Sequence, residues 1–149
     1  MAEPRYTVYL KSNDGVGTNN ISKTFYVNWE SVLDRKYKRF LVKGFFRATE
    51  SEDNTNDFLN IRADGFSIYG WESKTAGKTH ILTIAEFAPG QTHNIYIPSY
   101  DTPLRSVMID RPTENNLTIT IQDFTQTTLT TAPADWGLWL EFSPVKNDE

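Results

Sequence analysis

Near its carboxyl end the chain runs Trp136-Gly137-Leu138-Trp139-Leu140-Glu141-Phe142. Large apolar side chains occupy every second position, and a tryptophan also stands at one of the positions between them. Successive side chains of a β-strand point to opposite faces, so this period of two predicts a strand with one face in a core. Trp139 then falls on the other face, where either a loop of the same chain or a partner covers it.

The same alternation recurs along most of the chain and favours an all-β fold. No segment shows a sustained helical period, although residues 30–38 have room for one helical turn. Parallel folds need long helical crossovers and are excluded. We therefore expect about eight strands in an antiparallel two-sheet sandwich or jelly roll. Two tight hairpins are predicted, one across Ala63-Asp64-Gly65 and one across residues 88–92.

The alternating faces also predict which side chains form the core. Each expected core residue is a large apolar side chain on the more hydrophobic face of its strand. The expected set is Phe25, Val27, Trp29, Phe40, Val42, Leu117, Ile119, Ile121, Trp136, Leu138 and Leu140.

Length and composition narrow the class of protein. The 149 residues suit one domain over residues 1–149, with a short solvated tail at 146–149. Cysteine is absent, which excludes a disulfide scaffold and thiolate chemistry. No apolar run is long enough to span a bilayer, and the first residues do not resemble a signal peptide. The net charge of −4 argues against broad nucleic-acid coating as a function.

We find no pattern that indicates catalysis, a cofactor or a metal, so we expect no enzyme. The second predicted hairpin pairs residue 87 with residue 93, which places His80 and His93 roughly 20–25 Å apart, too far for a shared site. The segment Asp53-Asn54-Thr55-Asn56-Asp57 resembles a calcium loop only in part, because Phe58 stands where an EF-hand needs glycine. We interpret it as a solvated loop.

A basic and aromatic segment at residues 35–48 is the main local anomaly, since no acidic residue interrupts it. Three interpretations remain open for it: a protein interface, a nucleic-acid contact, or a central strand whose Lys and Arg stems reach past apolar neighbours to water. With Trp139 added, the candidate interface residues on the nominally outward faces are Tyr37, Arg39, Lys43, Phe45, Arg47 and Trp139.

Several segments, taken in order, carry a resemblance to a known family. They are Phe25-Tyr26-Val27-Asn28-Trp29, Tyr37-Lys38-Arg39-Phe40-Leu41-Val42-Lys43, Ile95-Tyr96-Ile97-Pro98, Val107-Met108-Ile109-Asp110-Arg111-Pro112, Leu117-Thr118-Ile119-Thr120-Ile121 and Trp139-Leu140-Glu141-Phe142-Ser143-Pro144-Val145. The chain resembles the single jelly-roll minor capsid and penton-type proteins of large icosahedral double-stranded DNA viruses and of their virophage or polinton-like relatives.

The resemblance implies a non-enzymatic capsid component without cofactors. It would associate with itself or with a major capsid protein, be made in the host cytoplasm and reside in the virion. The alternative is a carbohydrate-binding, lectin-like jelly roll that stacks sugars on exposed aromatics such as Trp71 or Trp139. A single-strand nucleic-acid-binding β domain is a third hypothesis, and the negative net charge weighs against it.

Overall fold

The computed structural model describes residues 4–48, 58–87, 96–97, 106–123, 126 and 135–146. In this part of the chain, helix is confined to a three-residue 3-10 turn at Ser12–Asp14 and a four-residue turn, α1, at Trp29–Val32. The single helical turn expected within residues 30–38 is therefore present, shifted by one residue. In chain order the strands are β1 (Tyr6–Lys11), β2 (Val16–Asn19), β3 (Ser22–Tyr26), β4 (Arg39–Ala48), β5 (Phe58–Asp64), β6 (Trp71–Glu72), β7 (Gly77–Lys78), β8 (Ile81–Phe87), β9 (Tyr96–Ile97), β10 (Val107–Asp110), β11 (Asn116–Asp123) and β12 (Trp136–Val145).

The strands form two antiparallel sheets that pack face to face. Sheet A has the order β1-β12-β4-β10, and sheet B has the order β2-β3-β11-β5-β8-β9. Within them, β1-β12-β4-β10 and β3-β11-β5-β8 are the two four-stranded layers of a single jelly roll. The predicted sandwich is confirmed, but a count of about eight strands is too low. The short strands β2 and β9 extend sheet B, and β6 and β7 form a separate two-stranded ribbon.

The core lies between the sheets and contains the side chains that alternation predicts. All eleven expected core residues are buried, and Phe40, Val42 and Leu138 have no exposed surface. Aromatic rings fill the centre, where Trp29 meets Phe142 edge-to-face at 5.4 Å between ring centroids. A fully buried core of this kind supplies most of the driving force for folding.

The hairpin predicted across residues 63–65 is wrong. Gly65 does turn the chain, with φ at +125°, but the next segment leaves sheet B and does not pair back onto β5. Ile68 instead forms a bridge to Ile109 at the edge of sheet A. The physical reason is burial, because Phe66 and Ile68 are 2 % and 1 % exposed and bridge the two sheets from within the core.

Two further boundaries differ from the prediction. The strand expected from residue 36 begins at Arg39, because Asp34 organises a turn in which it accepts bonds from the Lys36 and Tyr37 amides. The second hairpin has another register, with Phe87 opposite Tyr96. Residues 88–92, His93, the Asp53–Asp57 loop and residues 147–149 of the tail lie outside the described residues.

Candidate interaction face

The outward side of sheet A is the most distinctive surface of the described chain, and it is called the outer face below. Alternation sends odd-numbered residues of β1, β4 and β12 outward, because their even-numbered neighbours line the core. The two ladders bring Tyr9 opposite Trp139 and Trp139 opposite Phe45. These three side chains form the aromatic row, which crosses three adjacent strands. Tyr9 and Trp139 remain 56 % and 42 % exposed, and Phe45 is half-buried.

A glycine shapes one end of the aromatic row. Gly137 lies two residues before Trp139 on β12, on the same face, and the Tyr9 ring lies against it. A Cβ atom at residue 137 would come within 2.5 Å of the Tyr9 hydroxyl oxygen. The Tyr9 and Trp139 rings meet edge-to-face, with centroids 5.9 Å apart and planes inclined by 78°. Tyr9 therefore buttresses Trp139 and leaves one side of the indole open.

Charged side chains surround the aromatic row, and most are basic. Among the described residues, five Lys and Arg residues lie on the outer face, against two Asp and Glu residues. The described part of the outer face therefore carries a surplus of basic residues, whereas the whole chain has a net charge of −4. The charged residues of the face are Arg5, Lys11, Arg39, Lys43, Arg47, Asp110 and Glu141.

The acidic residues of the outer face already have neighbours of their own. Glu141 forms an ion pair with Arg5 at 3.2 Å and lies opposite Lys43 in the ladder. Asp110 accepts a hydrogen bond from the Tyr69 hydroxyl. This bond raises the pKa of Tyr69 above its usual value of 10.0, and desolvation and the charge of Asp110 act in the same direction. Because the acidic groups are engaged within the chain, the basic surplus dominates the field of the face.

Five of the six predicted interface residues lie together on the outer face. These are Arg39, Lys43, Phe45, Arg47 and Trp139. Tyr37 does not join them, because it precedes β4 and packs against the core through an edge-to-face contact with Phe40, 6.3 Å between centroids. Tyr9 belongs to the face but was not predicted as a site residue. Its outward position on β1 follows from alternation, whereas its place beside Trp139 depends on a pairing between the two ends of the chain.

The outward side of sheet B differs because the chain covers part of it. Glu72, on β6, reaches Arg62 of β5 and contacts its guanidinium with both carboxylate oxygens at 3.3 Å. The two side chains are only 6 % and 15 % exposed. Burial raises the pKa of the Glu72 carboxyl, but bonds from the His80 amide, Gln126 and Thr79 and the charge of Arg62 outweigh it and hold the pKa below 4.5.

A cleft of about 360 Å³ lies beside α1. Trp29, Arg35, Arg111 and Pro112 contribute to its lining. The Arg111 side chain donates to the backbone carbonyls of Tyr37 at 2.9 Å and of Asp34, and it stacks on Phe40. These contacts tie Arg111 to the turn before β4, so its role at the cleft is structural.

The predictions about the histidines and about a metal site involve residues that the structure describes only in part. His80 lies with Nδ1 3.8 Å from the Asp64 carboxylate, and its distance from His93 involves a residue outside the described part. Among the described residues there is no group of three or more side chains suited to hold a metal ion. In that same part, no helix is long and apolar enough to cross a membrane.

Comparison with known proteins finds distant structural neighbours only. No family model and no curated protein matches the sequence. The tripod (BppUct-A-L) from the baseplate of bacteriophage Tuc2009 aligns at a TM-score of 0.40 and 11 % identity, over 94 % of this chain and 64 % of that chain. This chain thus spans less than two thirds of the baseplate chain.

Two virus structures align more weakly. The extra small virus VLP of the giant freshwater prawn Macrobrachium rosenbergii gives a TM-score of 0.32 and 12 % identity, over 98 % of this chain and 82 % of that chain. Mud crab tombus-like virus gives 0.24 and 13 %, over 100 % of this chain and 84 % of that chain. These neighbours are viral proteins, and at such scores they assign the chain to no family.

Proposed function

We propose that this chain is a non-enzymatic structural protein of a virus particle, a minor capsid or penton-type component, and that residues 1–149 act as one domain. Its outer face docks against another capsid protein, either the major capsid protein or a copy of itself, in the virion. The aromatic row carries this proposal. Exposed aromatic side chains clustered on one face are typical of the centre of a protein interface.

The sheet holds the aromatic row in place before any partner arrives. β12 pairs over ten residues with β4 and over six with β1, so Trp139 is anchored by ladders on both sides. A rigid element loses little conformational freedom when it docks, and this lowers the cost of association. Basic residues around the row would steer an acidic partner surface toward it and fix its orientation.

The geometry favours a protein partner over a sugar. A stacking platform for a flat sugar ring needs aromatic planes that lie side by side, whereas the Tyr9 and Trp139 planes are inclined by 78°. Trp71, the other exposed tryptophan named for such a platform, lies on β6 in a different sheet. The net charge of −4 of the whole chain weighs against a nucleic-acid partner.

The test compares two exposed tryptophans. Trp139→Ala and Trp71→Ala remove the same side chain from surface positions that are 42 % and 68 % exposed. Each variant is titrated against the major capsid protein of the same virus, and thermal melts check the fold. We expect Trp139→Ala to weaken binding by about thirtyfold, which corresponds to about 2 kcal/mol, because aromatic anchors carry most of the interface energy.

The Trp71→Ala variant should bind like the wild type. Equal affinity of wild type and Trp139→Ala for the capsid protein would overturn the role of the outer face. The lectin-like alternative would be supported by a different result. In that case the wild type binds an oligosaccharide and no capsid protein, and Trp71→Ala loses the oligosaccharide binding.

A further inference from the structure

The four edge strands of the sandwich are protected to very different degrees. An unpaired edge offers free N–H and C=O groups to another strand, and most proteins cover or interrupt their edges. On sheet A, the edge of β10 is covered by the segment that contains Ile68, since the Tyr69 amide donates to the Met108 carbonyl at 2.8 Å. On sheet B, β2 has four residues and a register shift against β3. Two residues of β9 are described.

Among the described residues, β1 has neither a covering segment nor an interruption. All six residues, Tyr6–Lys11, pair with β12 in one continuous register, with no bulge and no proline. Within the described part of the chain, no strand pairs with its other side. The inward side chains Tyr6 and Val8 are half-buried against the core and retain accessible apolar surface at this edge. The edge therefore combines free backbone groups with uncovered apolar side chains.

We infer that β1 pairs antiparallel with β1 of a second copy, so that sheet A continues through a twofold axis into an eight-stranded sheet. The strand is suited to pair with itself, because its inward side is apolar throughout and its outward side is polar or aromatic. In an antiparallel pair that keeps the two cores on the same side, inward residues must stand opposite inward residues. The axis then passes through a residue position.

Three positions for the axis can be compared. An axis at Val8 places Arg5 directly opposite Lys11 of the second copy, and like charges at such positions destabilise a sheet. An axis at Thr7 brings Pro4, which has no N–H, into the ladder. An axis at Tyr9 avoids both faults.

The Tyr9 axis also matches side chains of the same kind. It sets Tyr9 opposite Tyr9 of the second copy, with Val8 opposite the second Leu10. The two aromatic rows then meet end to end, and six rings form one continuous strip across the dimer. The edge pairing is made by the backbone groups of β1 and does not require a capsid protein on the outer face, so failure of the pairing would not overturn docking through that face.

Cysteine cross-linking tests the pairing directly, because the chain contains no cysteine of its own. A residue on the axis faces its own copy, with Cα atoms about 4.5–5.5 Å apart, which is within disulfide range. We expect Tyr9→Cys to form a covalent dimer under mild oxidation at least tenfold faster than two controls. Thr7→Cys is the control on the same strand and face, and Tyr26→Cys is a control on sheet B at a position 74 % exposed.

Light scattering supplies a second measurement without cysteine. The apparent mass of the wild type should rise from 17.1 kDa toward twice that value as the protein concentration increases. Tyr9→Lys, which places two ammonium groups on the axis, should remain monomeric, whereas Tyr26→Lys should behave like the wild type. A wild type that stays at the monomer mass, or a Tyr9→Cys variant that cross-links no faster than Thr7→Cys, overturns the pairing.

Discussion

Trp139 on sheet A and Arg62 on sheet B occupy matching positions, since each points outward from an inner strand of its sheet. Their surroundings are reversed. The charged Arg62 is covered by Glu72 and is mostly buried, whereas the aromatic Trp139 is left 42 % exposed. Within its described part, the chain thus covers the charged side chain, whereas it leaves the large apolar side chain partly open. We therefore propose that the covered side serves stability and the open side serves contact, and the predictions below test this division.

The largest effect should come from the covered side. Glu72→Ala leaves the Arg62 guanidinium buried without its carboxylate, and we expect a loss of about 3–5 kcal/mol in the free energy of unfolding. Chemical denaturation measures it. Glu30→Ala is the matched control, because Glu30 pairs with Arg35 at 3.5 Å on the surface, with both side chains more than 75 % exposed. That variant should lose less than about 1 kcal/mol.

If both variants lose the same small amount, the Arg62–Glu72 pair is not a stability element and the contrast between the sheets fails.

The next effect concerns the open side and should leave stability unchanged. Lys43→Glu reverses a charge beside the aromatic row, and we expect association with the major capsid protein to slow by about tenfold at low salt. Lys23→Glu makes the same charge change on β3 of sheet B, at a residue that is also half-buried. The rate is measured at two ionic strengths, since screening should shrink the difference. Equal rates for both variants would contradict steering by the outer face.

Lowering the pH should reduce the free energy of unfolding by less than the Glu72→Ala substitution does. The pKa of Glu72 is lower in the folded chain than its usual 4.5. The stability that this depression contributes is complete above pH 4.5 and is lost as the pH falls through the folded pKa. The free energy of unfolding is measured from neutral pH down to the folded pKa of Glu72. The difference in this free energy between wild type and Glu72→Gln should shrink as the pH falls. A gap that stays constant would contradict the assigned pKa direction.

The smallest effect is expected at Gly137. A methyl group there meets only the far end of the Tyr9 ring, which can swing into solvent. Gly137→Ala should therefore change the free energy of unfolding by less than about 1 kcal/mol, since the gain in strand preference offsets the displaced ring. The loss in free energy of binding to the capsid protein should exceed the loss in free energy of unfolding, because Tyr9 no longer supports Trp139. A large loss of stability would show that the Tyr9 ring cannot move.

Short-range alternation was sufficient to predict much of the structure. It assigns Leu138 and Phe40 to the core and Trp139 and Phe45 to the outer face, because side-chain direction along one strand depends only on the period of two. It could not place Tyr9 beside Trp139, since that contact joins residues 130 positions apart and depends on which strands are neighbours.

The prediction failed where a local signal competed with the core. Asp64-Gly65 has the composition of a hairpin turn, and Gly65 does adopt a positive φ. Burial of Phe66 and Ile68 nevertheless carries the next segment to the other sheet. The Arg62–Glu72 pair was missed for a related reason: two charges ten residues apart indicate nothing until the ribbon that joins them is known.

The strand order of sheet A has a consequence for how the protein is made. No two neighbours in β1-β12-β4-β10 follow each other along the chain, so no ladder of this sheet is a simple hairpin. Such distant pairings slow folding, because long loops must close before any contact is gained. β12 lies between β1 and β4, so a nascent chain cannot complete sheet A until Val145 has left the ribosome. The aromatic row therefore forms only after β12 has been synthesised, and chains that stop before β12 lack the face that we propose for docking.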